Sequence, residues 1–197
     1  MQRKQYATTI TVILCACLFI VIGSCFSTFL YQKELIRVEN PKVVASSNIS
    51  VFKEDGQTQL EKLELSKLNL GLKPTTGEED AITSIPSTVT DRQGSEGHYA
   101  KFKLLAPSGA NVSVTNVVVQ TKHDQEKVNE QRKNIMVAID GVTKEAVSLE
   151  QDIVNLGTIE ASEQVKEYTF YVWLSAKTSD DLEGATISFD ISFADII

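Results

Sequence analysis

The sequence predicts a mainly β protein, an antiparallel β-sandwich held outside the cytoplasm by one N-terminal transmembrane helix. Two observations predict this fold class. Residues 6–31 form one long apolar stretch without a charged side chain. After it, short segments of alternating apolar and polar residues recur between turn residues at intervals of about 8 to 12 residues, as is typical of β-sandwiches.

The apolar stretch is long enough to cross a membrane. About 25 uncharged residues at a rise of 1.5 Å per residue give a helix of about 37 Å, and the hydrocarbon core of a bilayer is about 30 Å thick. Arg3 and Lys4 precede the stretch, whereas a nearly neutral mixture of charges follows it. Because positive charge is retained on the cytoplasmic side, residues 1–5 are predicted to be cytoplasmic. The C-terminal part is then extracellular, and the protein is a single-pass protein of the cell membrane.

Three fates of this segment are open. It remains as a signal anchor, which its length favours over the shorter apolar core of a signal peptide. Alternatively, the residues before Cys25 form a lipobox and Cys25 becomes an acylated N-terminus, or signal peptidase releases the domain at the small residues 23–25. Cysteines in such a segment otherwise behave as small apolar side chains. All three cysteines lie inside it: Cys15, Cys17 and Cys25.

The rest of the chain is acidic and contains no cysteine. All 26 acidic residues, and all but two of the 19 basic residues, follow residue 31. Because an acidic surface without a basic patch repels phosphate backbones, no nucleic-acid partner is expected. A domain without disulfides has to be stabilised by its own core. Residues 32–47 are predicted to form a stalk that can contribute a first strand, and residues 48–197 the sandwich, with an irregular connection at 71–97.

The predicted strands follow in order along the domain. The leucine-rich stretch 60–72 alternates in its second half as strands do. Two strands, 98–106 and 110–122, flank Pro107-Ser108-Gly109, whose turn residues predict a β-hairpin. The charged stretch 123–133 is either a helix or a solvated loop. Further short strands are predicted at 134–140, 147–149 and 153–159.

The last two strands carry the clearest pattern. In residues 185–193, apolar residues alternate with Thr, Ser and Asp, which predicts one buried and one wet face. Residues 167–176 carry aromatic and β-branched side chains on both faces, which predicts a strand that is covered on both sides. The buried face of the last strand is formed by Ile187, Phe189, Ile191 and Phe193.

No catalytic, cofactor-binding or metal-binding constellation stands out in the sequence. It contains no phosphate-binding loop, zinc-ligand spacing or nucleophile elbow. His98 and His123 are far apart, and His123 with Asp124 and Glu126 is predicted to be a charged surface segment rather than a metal site. Trp173 is predicted to fill the core. One acidic cluster lacks the alternating spacing of a calcium loop and is predicted to be a solvated turn; it comprises Asp180, Asp181 and Glu183.

Three runs near the C-terminus resemble a group of Gram-positive exported proteins. They are residues 156–159, residues 167–174 with a tryptophan-leucine pair, and residues 184–193, where a glycine precedes an amphipathic last strand. Through them, residues 97–197 resemble membrane-anchored β-sandwich proteins and, more distantly, the camelysin and TasA-type matrix-fibre proteins. The resemblance implies a jelly-roll-like sandwich without established chemistry.

These features predict a non-enzymatic, membrane-anchored surface module for envelope structure, adhesion or protein assembly, without a cofactor. Its expected partners are the membrane, through the N-terminal helix, and other proteins or further copies of itself, through sheet edges. Two alternatives remain: a released matrix or fibre subunit, and a ligand-binding lipoprotein acylated at Cys25.

Overall fold

The chain divides into two compact units, Met1–Glu34 and Leu35–Ile197. No helix among the described residues is both long and apolar enough to cross a membrane. The predicted membrane segment lies largely outside the described residues, and the predicted connection at 71–97 lies wholly outside them. The computed structural model describes residues 17, 18, 20–22, 35–65, 68, 69, 98–122 and 124–196, of which 17, 18 and 20–22 are helical.

The second unit is mainly β, as predicted, and its strands form two sheets, as in a β-sandwich. The predicted strands 98–106 and 153–159 are confirmed in full. The strand predicted at 167–176 begins five residues earlier and ends two residues earlier, and the strand predicted at 185–193 is displaced by one to two residues. The strands among the described residues are β1 (Leu35–Val38), β2 (Lys42–Ala45), β3 (Ser50–Phe52), β4 (Leu68–Asn69), β5 (His98–Ala106), β6 (Ala110–Gln120), β7 (Ile135–Ile139), β8 (Val147–Ser148), β9 (Ile153–Ile159), β10 (Ser162–Leu174) and β11 (Thr186–Asp195).

The two sheets differ in their strand directions. The first has the order β4-β1-β11-β6-β9, with β2 also on β11, and the second has the order β3-β5-β10-β7-β8. All pairs in the second sheet are antiparallel, as predicted. In the first sheet, β1 and β2 run parallel to β11, so the prediction of a purely antiparallel sandwich is wrong there.

β1 and β2 are two parts of one interrupted strand along the same edge of β11. Val38 pairs with Ile187, and after a short break Lys42 pairs with Asp190. Pro41 lies in the break, where it can donate no backbone hydrogen bond. The predicted stalk, residues 32–47, therefore supplies two strands of the sheet, and the folded unit begins at Leu35 rather than at residue 48.

The predicted hairpin around residues 107–109 is wrong. β5 pairs with β3 and β10 in the second sheet, whereas β6 pairs with β11 and β9 in the first. The turn therefore passes from one sheet to the other. Since β5 and β6 each have a buried apolar face, the crossing lets these faces meet across the core instead of lying side by side in one sheet.

Aromatic contacts join the inner faces of the two sheets. The ring centroids of Phe102 on β5 and Phe193 on β11 lie 5.6 Å apart, and those of Phe170 on β10 and Phe189 on β11 lie 5.8 Å apart. All four side chains are buried. The predicted alternation of buried and wet residues in the last strand is confirmed, because its apolar residues form one side of this core.

The charged stretch between β6 and β7 forms a helix, α1 (Gln125–Gln131), followed by a 3-10 turn at Arg132–Asn134. Asp124 caps the helix, since its carboxylate accepts a hydrogen bond from the Glu126 N–H at 3.1 Å. Val128 is fully buried and fixes the helix to the core. Of the two predicted alternatives, the helix is therefore correct.

Candidate functional site

β9 forms an open edge of the first sheet. It is the outermost strand there and, within the described part of the chain, it pairs only with β6. The backbone N–H and C=O groups on its other side point away from the sheet, which is the arrangement that accepts an added strand. The strand has seven residues, with no charged residue and no proline among them. Ile153 at its start is 67% exposed.

The other outermost strands are covered or short. Beside β3, the N–H of Leu60 donates to the carbonyl of Val51 at 2.9 Å, so the following segment covers that edge. Beside β2, the N–H of Val43 donates to the carbonyl of Glu61 at 2.9 Å. β4 and β8 are described over two residues each. Of the outermost strands that the structure describes, β9 is therefore the longest one without a covering segment.

A bulge divides β9 into two halves. Val112 pairs with Gly157 and Ser113 pairs with Asn155, so Leu156 is an extra residue on β9. The Asn155 side-chain oxygen accepts the Gly157 N–H at 2.9 Å. A Cβ at Gly157 would lie 2.8 Å from the Val142 carbonyl oxygen, because the turn after β7 approaches the strand there. The first half, residues 153–156, is the open part.

No family model and no curated protein matches the sequence.

The resemblance to the camelysin and TasA-type group therefore stays a prediction, and the geometry of the described residues is what supports a function.

A cleft of about 440 Å³ lies beside the start of β5. Tyr99 and the segment that follows β3 line it, and Leu60 and Leu63 form its buried apolar part. Charged groups of both signs surround this apolar part. They are Lys53, Glu54, Asp55, Glu64 and Lys101.

The turn on one side of the cleft is held by Asp55. Its carboxylate accepts the backbone N–H groups of Gln57 and Thr58, each at 2.9 Å, and the Thr58 hydroxyl at 2.6 Å. These bonds, the Thr58 hydroxyl first among them, lower the pKa of Asp55 from 3.8 to about 2, because they stabilise the charged form. The carboxylate is therefore committed to the turn rather than available to a ligand.

Tyr99 connects the cleft to a second cluster of buried side chains, on the outer face of the second sheet. Its ring centroid lies 6.1 Å from that of Tyr171, and Trp173 and Ala138 belong to the same cluster. Burial raises the pKa of Tyr171. Trp173 is only 3% exposed, so it is buried as predicted, and the last five residues of β10, 170–174, are covered on both sides as predicted. Trp173 nevertheless lies in this outer cluster and not in the core between the sheets.

The acidic cluster singled out in the sequence lies on an exposed turn. Residues Asp180–Leu182 form a 3-10 turn, and the Ser179 hydroxyl donates to the Asp181 carboxylate at 2.6 Å. A cleft of about 570 Å³ separates this turn from Asp124 and Lys127 near the start of α1. Among the described residues, no three His, Cys, Asp or Glu side chains converge closely enough to hold a metal ion.

The remaining residues from the sequence analysis are not brought together. Glu126 lies in the first turn of α1. The backbone of His98 begins β5, but its side chain lies outside the described part, as do His123 and Cys25. Cys17 is a free, exposed cysteine.

Sequence reasoning missed both the open edge and the cleft beside β5. The edge had a readable signal, because residues 153–159 are a strand pattern without charge or proline. The cleft had only a partial sequence signal, because Asp55-Gly56 predicts a turn. Nothing in the local pattern places that turn beside Tyr99, since the two become neighbours only through the pairing of β3 with β5.

Proposed function

We propose that this protein is a non-enzymatic, membrane-anchored surface module that joins partner proteins by strand addition at β9. In this proposal, residues 6–31 stay in the cell membrane, residues 1–5 are cytoplasmic, and the jelly-roll-like sandwich is extracellular. The module serves envelope structure, adhesion or protein assembly, without a cofactor. The observation that carries the proposal is the open, uncharged edge at residues 153–156.

The chemistry of this edge favours strand addition. Proteins commonly protect exposed edges with lysine, proline, a bulge or a covering segment. The bulge of β9, at Leu156, lies at the end of the open part. β9 has neither lysine nor proline, whereas the exposed first half of β10 carries Glu163, Lys166 and Glu167. Ile153 offers an apolar side chain to a partner at the point where the edge is most accessible.

The binding free energy expected for strand addition at β9 is that of a weak, reversible assembly contact. About four backbone hydrogen bonds to the edge, at about 0.5–1.5 kcal/mol each, give roughly 2–6 kcal/mol. Burial of one isoleucine adds about 2 kcal/mol. Since association costs several kcal/mol in lost freedom, the edge alone binds weakly. Anchoring in one membrane raises the effective concentration of partners, and this compensates for the weak contact.

Site-specific crosslinking tests the edge. A photoreactive amino acid at position 153 is expected to capture protein partners in intact cells, and the same residue at Ser188, in the middle of the sheet on β11, is expected to capture none. Ile153→Lys should reduce complex formation, because it places a charge at the edge. The matched control is Val118→Lys, which changes an exposed apolar residue on β6. If neither position 153 nor position 155 captures any protein while the purified chain turns over a substrate, the proposal is wrong.

The mass of the mature protein tests the anchor. An intact chain in the membrane fraction agrees with the anchor. A chain that has lost about 25 residues and appears in the medium identifies the released subunit. A lipid adduct on Cys25 identifies the lipoprotein. Protease added to intact cells is expected to degrade the second unit, and full protection of that unit would contradict the proposed topology.

A further inference from the structure

The cleft beside β5 combines one aromatic ring with free charged groups of both signs. Tyr99 is half-buried, and its contact with Tyr171 fixes the ring at the wall of the cleft. Lys53 and Glu64 are exposed, and neither forms an ion pair with another described residue. The cleft thus offers a fixed apolar surface beside unused hydrogen-bond donors and acceptors.

We infer that this cleft binds a neutral saccharide. A sugar ring has an apolar C–H face that packs on an aromatic ring and a rim of hydroxyls that both donate and accept hydrogen bonds. Tyr99 supplies the aromatic surface. The Lys53 ammonium supplies donors and the Glu64 carboxylate supplies acceptors for the hydroxyls.

The balance of charges selects against anionic ligands. Lys101 already faces Glu167, with 3.5 Å between the ammonium and the carboxylate, so it offers little free positive charge. The Asp55 carboxylate is bonded within its turn. What remains is a mixture of Lys53 with Glu54 and Glu64, which repels polyanions such as phosphate or sulfate polymers. A neutral polyhydroxyl ligand encounters no such repulsion.

The site is also preformed and of suitable size. The Lys53 N–H donates to the Thr58 carbonyl at 2.8 Å and closes the turn, while the Leu63 N–H donates to the Pro41 carbonyl at 3.0 Å and fixes the apolar part. A rigid site loses less freedom when a ligand binds. The volume of about 440 Å³ lies in the usual range of small-molecule sites and leaves room for a short oligosaccharide.

The inference is independent of strand addition at β9, and it rests on the proposed function only for placing the cleft outside the cell. Calorimetry of the full chain in a detergent without a sugar headgroup tests it directly. The probes are the neutral tetrasaccharides of N-acetylglucosamine, β-1,4-glucose and α-1,4-glucose, with a sulfated heparin tetrasaccharide as the anionic comparison. We expect at least one neutral probe to bind with a Kd of about 10 μM to 1 mM and the sulfated probe not to bind.

Variants locate the binding. Tyr99→Ala should weaken it about tenfold or more, whereas Tyr99→Phe should keep it, because only the ring is needed. Lys53→Met and Glu64→Gln should each weaken binding several-fold, and they leave the buried cluster intact. Glu163→Gln, an exposed carboxylate on β10 outside the cleft, is the matched control and should bind like the unmodified chain.

Three outcomes would overturn the inference: no binding of any neutral probe, tighter binding of the sulfated probe, or equal losses in Glu64→Gln and Glu163→Gln. None of them bears on the crosslinking at position 153. The two proposals can therefore fail separately.

Discussion

The side chain of Asn116 donates a hydrogen bond of 2.8 Å to the carboxylate of Asp190, at the point where β6 carries one residue more than β11. The backbone of Asn116 has a φ of 55°, a left-handed value that asparagine tolerates better than most residues. Because of this bulge, Val114 and Val117 on either side of it both face the core. The pair thus allows the buried face of β6 to continue past an irregularity in the ladder.

Replacement of Asn116 should show how much its left-handed backbone and its hydrogen bond to Asp190 affect the free energy of unfolding. Asn116→Ala is expected to lower the free energy of unfolding by about 1–3 kcal/mol, because it loses the bond to Asp190 and leaves a Cβ in the left-handed region. Asn116→Gly should cost less, since glycine relieves the backbone strain. Urea unfolding followed by circular dichroism measures both, with Gln120→Ala on the same strand as the control. A glycine variant less stable than the alanine variant would contradict this explanation.

Local patterns were sufficient to predict most of the strands, but not β3 or the first five residues of β10. β5 and β9 have the predicted ends, because alternation of apolar and polar residues is a property of each segment alone. The bulge at Asn116 could not be predicted in this way. One residue with a left-handed backbone shifts the alternation of buried and exposed residues in β6, and no local sequence pattern indicates it.

Strand partners could not be predicted in the same way. The turn Pro107-Ser108-Gly109 can join two strands of one sheet or two strands in different sheets. It joins β5 and β6 in different sheets because their apolar faces then pack against each other in the core. Residues 35–45 looked like a stalk because their partner, β11, comes at the other end of the domain. The cleft beside Tyr99 depends on these same distant pairings.

The parallel strands β1 and β2 should contribute to stability, contrary to the behaviour of a stalk. Ile36 on β1 is fully buried in the core, whereas Val44 on β2 is 51% exposed. Ile36→Ala is therefore expected to cost about 2–5 kcal/mol of unfolding free energy, through lost burial and the cavity that remains. Val44→Ala, the matched control, should change it by less than about 0.5 kcal/mol. Equal and small effects in denaturant titrations would mean that β1 is not held in the sheet.

The turn at Asp55 should make a small contribution to stability that depends on pH. The pKa of Asp55 is lowered from 3.8 to about 2 in the folded chain, so folding favours the carboxylate. This stabilisation is fully present above about pH 4 and is lost as the pH falls through about 2. A carbon-detected NMR titration should give a pKa near 2 for Asp55. Thr58→Val should raise this pKa toward 3.8, and Thr58→Ser, which keeps the hydroxyl, should not. An ordinary pKa in the unmodified folded chain would refute the role of the turn.

The crossing between the sheets at Gly109 should tolerate no side chain. Gly109 has a φ of 79°, and a Cβ there would lie 2.7 Å from the Ile196 Cδ1 and 2.9 Å from the Ile159 carbonyl oxygen. Gly141 has a similar φ of 73°, but its Cβ would meet nothing within 4 Å. Gly141→Ala should therefore cost only the left-handed strain, about 1 kcal/mol, and Gly109→Ala about 2–4 kcal/mol in total, because a backbone carbonyl has to move.

Thermal unfolding of the two variants measures this difference, and a double variant assigns its cause. In Gly109→Ala combined with Ile196→Ala, the flexible side-chain contact is gone while the contact with the Ile159 carbonyl remains. Only part of the lost stability should then return, because this carbonyl lies at the junction where β9 leaves the first sheet for β10 in the second. Full recovery of stability in the double variant, or equal losses of stability in Gly109→Ala and Gly141→Ala, would contradict this explanation. Either result would show that the β5–β6 and β9–β10 connections are not in close contact.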